Sequence, residues 1–243
     1  MRSPSAEEVL DTWERGVPGN PIERALVLLR LGPGASHPDG ASRLTIGRRD
    51  AELLALREWL FGAEMAAVVA CPRCKVELDL ELDAAEIRSA AIEPPEGEMR
   101  LCAHGYEVTF RVPECADLEF LEDTDDEESW RQLLGRCVLS ATRQDGEPLC
   151  GELPDEVVEA ITAQMANSDP LADIRLALNC PACEHRWLAV FDIVSFLWRE
   201  ITSFARRLLR EVHDLASVYG WSEKEILSLS YERRQYYLGL ING

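Results

Sequence analysis

Two pairs of cysteines with identical spacing are the residues of this sequence best suited to metal chemistry. Cys71 and Cys74 form the first Cys-Pro-x-Cys motif, and Cys180 and Cys183 form the second. Thiolates at this spacing in a tight turn supply two ligands in the geometry that zinc prefers, and two such turns complete a tetrahedral four-sulfur site. We therefore predict one structural Zn²⁺ bound by these four cysteines.

The two motifs are unusually far apart in the chain. Residues 75–179 lie between them, whereas paired motifs of this kind are usually about 15 to 20 residues apart. Ligands need to converge only in space, so the site requires a subdomain inserted between the halves of a zinc ribbon. Two alternatives remain open. One is a glutaredoxin-like redox centre, which strand-like sequence after each motif disfavours, and the other is a pair of turns without metal. His185 is an alternative ligand.

The other four cysteines stand alone in the sequence. Cys102, Cys115, Cys137 and Cys150 have no partner two residues away, and we interpret them as small apolar side chains. A second metal site that includes His104 is the alternative.

The sequence offers no catalytic motif besides the cysteines. A site closed by four thiolates leaves no coordination position for water or substrate. His-Glu-x-x-His, Gly-x-Ser-x-Gly and Gly-x-Gly-x-x-Gly patterns are absent, and the four histidines are far apart. We therefore predict that the chain is not an enzyme and that zinc is a structural cofactor.

Hydrophobic periodicity places each cysteine pair between strands. Apolar and charged residues alternate strictly through 76–83, which predicts a half-buried strand after the first pair. The segments 174–178 and 186–191 predict strands on both sides of the second pair. The remaining predicted elements are helices at 6–15, 21–31, 50–61, 130–141 and 154–165, a connection at 32–40, and strands at 99–101 and 106–112.

The last fifty residues have the pattern of a helical tail. From residue 193, apolar residues recur every three or four positions up to Tyr219, which predicts one helix of about seven turns that ends at Gly220. Ser222 and Ser230 then favour the starts of two short helices.

These elements together predict an α+β fold. Its centre is a small zinc-ribbon-like antiparallel β module with a long insertion, and helices precede and follow it. The predicted domains are an N-terminal helical segment at 1–64, the ribbon module at 65–192 with knuckles at 71–74 and 180–183 and an inserted α/β subdomain at 84–173, and a C-terminal helical region at 193–243.

Charge and hydropathy restrict the partners and the location of the chain. Its 44 acidic and 25 basic residues give a net charge of −19, which repels phosphate backbones and anionic lipid. The longest apolar stretch, 187–198, is much shorter than a transmembrane helix, which needs about 18 apolar residues to span a bilayer. We therefore predict a cytoplasmic protein without nucleic-acid or membrane partners. In that compartment clustered cysteines favour metal over disulfides.

The charge is unevenly distributed. Residues 199–243 contain seven basic and six acidic side chains, whereas residues 114–128 contain nine acidic and no basic ones. A solvated loop or helix start explains the acidic run most simply, and a basic partner surface is the alternative hypothesis.

The chain also resembles a known family. The C-terminal blocks Phe191–Glu200, Leu208–Ala216, Tyr219–Leu227 and Arg233–Leu238 are similar to the T-even-type phage baseplate hub assembly chaperones. Relatives of that family occur in gene clusters for contractile tails and phage-derived contractile injection systems. The likeness extends to the stretches Gly47–Leu54, Arg57-Glu58, Phe61-Gly62, Phe110–Pro113 and Asp117-Leu118.

This resemblance implies a non-catalytic assembly factor whose partners are baseplate hub or spike proteins. Alternatives are a structural baseplate subunit and a zinc-ribbon adaptor that binds protein or nucleic acid. Aromatic and arginine side chains are typical of binding hot spots, and the C-terminal tail is rich in both. The predicted partner-binding residues are Trp221, Tyr231, Arg233, Arg234, Tyr236 and Tyr237.

Overall fold

The structure confirms an α+β fold. A computed structural model describes residues 4–32, 40–93, 97–119, 126–143 and 152–242. The α-helices within these residues are α1 (Ala6–Gly16), α2 (Pro21–Leu29), α3 (Ile46–Phe61), α4 (Ala84–Ser89), α5 (Cys115–Leu118), α6 (Asp126–Cys137), α7 (Asp155–Ser168), α8 (Ile193–Tyr219), α9 (Glu223–Leu227) and α10 (Tyr231–Asn242). The strands are β1 (Glu64–Ala70), β2 (Glu77–Asp83), β3 (Met99–Ala103), β4 (Tyr106–Phe110), β5 (Val138–Arg143), β6 (Arg175–Asn179) and β7 (Arg186–Val190).

The three N-terminal helices are confirmed, and α3 starts earlier than predicted. Its first residue is Ile46 rather than residue 50, because the Thr45 hydroxyl accepts the Arg48 N–H at 3.2 Å and so caps the helix. Gly62 ends the helix with a φ of 89°, which only glycine adopts without strain. Most of the connection predicted at 32–40 lies outside the described residues.

Two antiparallel hairpins carry the cysteine motifs. β1 pairs with β2, and β6 pairs with β7, each as a two-stranded sheet. Burial alternates along these strands, as the predicted period of two requires. Each cysteine motif forms the turn of its hairpin.

The insertion contains a separate three-stranded sheet, in the order β3-β4-β5. His104 and Gly105, both with positive φ, form the turn between β3 and β4. The predicted helix at 130–141 is wrong over its last residues, because the chain leaves α6 at Cys137 and pairs Val138 onward with β4. Pairing with Val138 onward gives hydrogen-bond partners to the backbone N–H and C=O groups along this edge of β4. A further turn of helix would leave these groups unpaired. Val108, Phe110 and Ile161 are fully buried in a core of this sheet, α6 and α7.

The main core lies between the N-terminal helices and the first half of α8. Leu28, Leu54 and Ile201 are fully buried there. Two residues within the insertion, Ala84 and Leu171, belong to the same core. The two ends of the insertion are therefore packed against the helices on which the ribbon rests.

The helix α8 is confirmed over its whole predicted length. It has 27 residues, the Asp192 side chain caps its start, and Gly220 ends it with a φ of 69°. α9 and α10 fold back on its second half around Leu215 and Ile226. Within the described residues, no helix is long and apolar enough to cross a membrane.

Candidate metal centre

The four predicted cysteine ligands converge on one point. Cys71 Sγ lies 3.7 Å from Cys183 Sγ, and Cys74 Sγ lies 3.5 Å from Cys180 Sγ. All four sulfur atoms lie within 4.8 Å of one another. Each of the two short sulfur–sulfur distances runs from one hairpin to the other, so an ion bound by the four thiols would join the two hairpins.

The two knuckles share one backbone geometry. The Cys71 N–H donates to Val76 O, and the Lys75 N–H donates to Cys71 O, both at 2.9 Å. The second knuckle repeats both bonds at the same length, from Cys180 N–H and Glu184 N–H. Lys75 and Glu184 adopt left-handed φ values of 63° and 57°. This tight turn aims both sulfurs of each motif toward the other hairpin.

The sulfur positions fit a tetrahedral metal ion. A Zn–S bond of about 2.3 Å at tetrahedral angles places the sulfurs about 3.8 Å apart, close to the observed 3.5 and 3.7 Å. A disulfide requires about 2.05 Å, so these four thiols are not paired covalently. The donor set is all sulfur, which suits zinc and other soft metal ions.

The thiols also differ in acidity. Burial raises the pKa of Cys71, but the backbone N–H groups of Cys74 and Arg73 and the thiols of Cys74 and Cys180, which hydrogen-bond to its sulfur, outweigh it and bring the pKa to about 6. The His185 N–H lowers the pKa of Cys183, but burial and the three neighbouring thiols raise it to about 12. One thiolate thus forms readily, whereas four adjacent thiolates need a cation to balance their charge.

The two motifs lie in a stretch that matches a known family. Residues 35–198, about two thirds of the chain, match the family described as T4 bacteriophage base plate protein. The chain belongs to this family. The comparisons with curated proteins and with solved structures find no match.

The base plate match includes both knuckles and the whole insertion between them. It ends at Trp198, within the second turn of α8. The four-cysteine cluster is therefore part of the region that defines the family membership, whereas the rest of α8 and the predicted partner-binding tail lie beyond the match.

His185 and the described single cysteines, Cys102, Cys115 and Cys137, lie outside the four-cysteine cluster. The His185 ring stacks on Trp187 with 5.9 Å between the ring centroids. Within the described residues, the four-cysteine cluster is the one group of three or more His, Cys, Asp or Glu side chains placed to hold a metal. Cys102 and His104 are exposed near the β3–β4 turn and do not belong to such a group.

Two of the remaining single cysteines are buried. Cys115 and Cys137 are fully buried, and burial raises the pKa of each thiol to about 11. Both are protonated at neutral pH, in agreement with the interpretation as small apolar side chains. Cys150 lies outside the described residues.

Buried polar contacts join the insertion to α3, and α3 to α8, in this base plate protein. The Gly47 N–H donates to Asp169 Oδ2 at 2.9 Å and ties α3 to the end of the insertion. The buried Arg57 side chain binds Glu200 with two hydrogen bonds, of 3.0 and 2.8 Å, and joins α3 to α8. No local pattern in the sequence predicts either contact, although Gly47 and Arg57 lie in the stretches that carry the family resemblance.

A third polar contact stabilises the insertion itself. Arg111 binds Asp117 with hydrogen bonds of 2.6 and 2.8 Å, and Arg136 adds a third of 3.1 Å. Burial alone would raise the pKa of Asp117, but these arginines hold it below the usual range. This member of the acidic run is therefore a structural ion-pair partner. Residues 120–125 of the run lie outside the described residues.

The predicted partner-binding residues divide into two groups. Tyr231 and Tyr236 are 58% and 68% exposed, and Arg233 is also exposed. These three side chains are accessible to a partner.

The other three predicted partner-binding residues hold the tail on α8. Arg234 is 5% exposed and forms an ion pair of 3.3 Å with Glu211. Trp221 stacks on Tyr219 with 4.7 Å between ring centroids, and Tyr237 packs edge-on against Trp221 at 4.9 Å. Their aromatic and arginine character is thus explained by contacts within the chain.

Proposed function

We propose that this base plate family member is a non-catalytic, zinc-stabilised assembly factor, or chaperone, for the baseplate hub of a phage tail or phage-like contractile injection system. It acts in the cytoplasm, and its partners are hub or spike proteins. The observation that carries the proposal is the four-sulfur site within the family-defining region. Four protein ligands complete a tetrahedral shell, which is the arrangement of structural rather than catalytic zinc.

Zinc has a defined structural task in this proposal. Cys71 and Cys74 precede the insertion, and Cys180 and Cys183 follow it. An ion bound by all four holds the two hairpins together at the point where the chain leaves and re-enters the ribbon. The insertion and the helical tail are then presented from one fixed base.

The tail supplies the proposed docking surface for the hub. Arg233, Tyr236 and Leu240 follow one another at intervals of three and four residues, so they lie on one face of α10. All three are exposed, and Leu240 is 60% exposed. An arginine beside exposed aromatic and aliphatic side chains is typical of a protein-binding hot spot.

This surface can be tested without disturbing the fold. The double variant Tyr236→Ala/Leu240→Ala is expected to lower the amount of hub protein that co-purifies with the full chain by at least about tenfold, because each hot-spot side chain contributes about 2 kcal/mol. Affinity purification from cells that express the base plate genes, with quantitative mass spectrometry, measures the change.

A matched control uses exposed residues of the same region. Val218 on α8 and Lys224 on α9 are exposed but lie outside the α10 face. The variant Val218→Ala/Lys224→Ala is expected to retain hub protein within about twofold of the natural chain. Equal retention by both double variants would show that the hub does not bind this face.

A further inference from the structure

Each hairpin of the ribbon has one exposed face, and the two faces carry opposite charge. The strands β1 and β2 contain five acidic residues and no basic ones. The strands β6 and β7 contain two arginines and no acidic residue. Exposure alternates along these strands, so every second side chain points away from the core. We call the exposed side of β1 and β2 the acidic face, and the exposed side of β6 and β7 the basic face.

An apolar side chain lies at the centre of the acidic face. Val68 is 63% exposed and lies opposite Asp79 in the β1–β2 register. Glu77 and Glu81 are exposed two positions before and after Asp79. Residues two positions apart on a strand share one face, as do residues directly opposite each other on paired strands. Within the described part of the chain, none of these three carboxylates forms an ion pair.

The basic face has the same layout, with arginines at its ends. Leu188 and Val190 are 59% and 71% exposed. Arg186 lies two positions before Leu188, and Arg175 lies opposite Val190, so Leu188 lies between the two arginines. Asp173 forms an ion pair with Arg175 at 2.6 Å, but both side chains are about half exposed, and such solvated pairs contribute little. Among the described residues, Arg186 has no ion-pair partner.

The charges on the two faces also match in spacing. Arg186 lies four positions from Val190, the residue opposite Arg175. Glu77 and Glu81 are likewise four positions apart on β2. At about 3.4 Å per residue, each pair of like charges spans about 14 Å. When the apolar centres of the two faces are in contact, each arginine therefore comes within reach of one glutamate.

The two faces do not cover each other within one chain. Val68, Leu188 and Val190 are each more than half exposed. In the part of the chain that the structure describes, no ion pair joins the first hairpin to the second. An exposed apolar centre with a charged rim is typical of a surface that binds protein. Since the faces are complementary in charge, spacing and apolar content, a second copy of the chain supplies the partner that each face requires.

We propose that the acidic face of one copy of this chain binds the basic face of another copy. Two different faces meet in this contact, so repeated contacts build a ring or an open row of copies. A contact made by two strands of each copy is at the small end of protein interfaces, and we expect a weak, reversible association. The inference does not rest on the proposed function, because neither face includes α10.

Sedimentation velocity of the full zinc-loaded chain tests the proposal over a range of micromolar concentrations. The natural chain is expected to associate as its concentration rises. Glu77→Arg/Glu81→Arg has two basic faces, and Arg175→Glu/Arg186→Glu has two acidic faces. Each variant alone is expected to self-associate at least about tenfold more weakly than the natural chain, because like charges then face each other.

Mixing the two variants is the decisive measurement. In the mixture, a basic face of one variant can meet an acidic face of the other, so the association that each variant lost is expected to return. Both variants keep a large negative net charge, and attraction between oppositely charged proteins therefore cannot explain the recovery. Circular dichroism and zinc content verify that both are folded.

Two matched controls reverse the same number of charges elsewhere. Asp11→Arg/Glu14→Arg changes exposed acidic residues of α1, and Arg206→Glu/Arg210→Glu changes exposed arginines of α8. Both controls are expected to associate within about twofold of the natural chain, because neither pair of residues lies on a hairpin.

Three outcomes would overturn the proposal. The first is a natural chain that stays monomeric at every concentration. The second is association that the face variants leave unchanged, or that the controls weaken as much as the face variants do. The third is a mixture of the two face variants that associates no better than either variant alone. Retention of hub protein by the α10 face does not enter any of these outcomes.

Discussion

Replacing Cys180 with serine is expected to abolish zinc binding and to lower the Tm by more than about 10 °C. Cys180 is fully buried, and its sulfur lies 3.5 Å from that of Cys74. Structural zinc contributes about 10–16 kcal/mol of binding free energy in small zinc domains, and a chain of this size loses about 2–4 °C of Tm per kcal/mol. Loss of half of that binding energy, about 5–8 kcal/mol, is therefore enough to lower the Tm by about 10 °C or more.

The measurement pairs metal analysis with calorimetry. The natural chain is expected to contain one zinc per molecule, and Cys180→Ser none. Cys102→Ser is the control, since Cys102 is exposed and outside the cluster, and it is expected to keep both the zinc and the Tm. A Cys180→Ser protein with unchanged Tm would show that the cluster does not stabilise the fold.

Gly47→Ala is expected to destabilise the protein by about 3 kcal/mol or more. A Cβ atom at this position would overlap Asp169 Oδ1 and lie 2.7 Å from its Cγ and 2.9 Å from Ala172 N. Asp169 is 3% exposed and accepts the Gly47 N–H at 2.9 Å. The carboxylate must therefore move within a closed space and lose a buried hydrogen bond, and such changes each cost about 1–3 kcal/mol.

Gly135→Ala is expected to have the opposite effect on the stability of the protein. Gly135 lies in α6 with no heavy atom within 4 Å of the position of a Cβ. Alanine in a helix interior is favoured over glycine by about 0.5–1 kcal/mol, so this variant is expected to be slightly more stable. Urea denaturation measures the free energy of unfolding of both glycine variants. If Gly47→Ala unfolds at the same urea concentration as the natural chain, the contact between α3 and Asp169 is not a constraint on the fold.

Local features of the sequence predicted most of the secondary structure. The alternation after Cys74, the three-and-four spacing from residue 193 and the turn chemistry of Gly62 and Gly220 depend on neighbours within a few residues. The structure confirms each of them. The helix predicted at 130–141 is wrong over its last residues, because local patterns do not show contacts between distant segments. Val138 and the residues after it pair with β4, which lies about thirty positions earlier in the chain.

Long-range contacts account for what the sequence did not specify. The four cysteines were identified because their types and spacing carry chemistry by themselves. Arg234, in contrast, has the chemistry of an interface residue, and only the position of Glu211 on α8 shows that it is bound within the chain.

The composition of finished particles distinguishes an assembly factor from a structural subunit. Quantitative mass spectrometry is applied to purified tail particles and to hub complexes isolated before assembly is complete. An assembly factor is expected in the hub complexes and absent from the finished particles. A stoichiometric amount of the chain in finished particles would show that the chain is a structural subunit of the base plate and not an assembly factor.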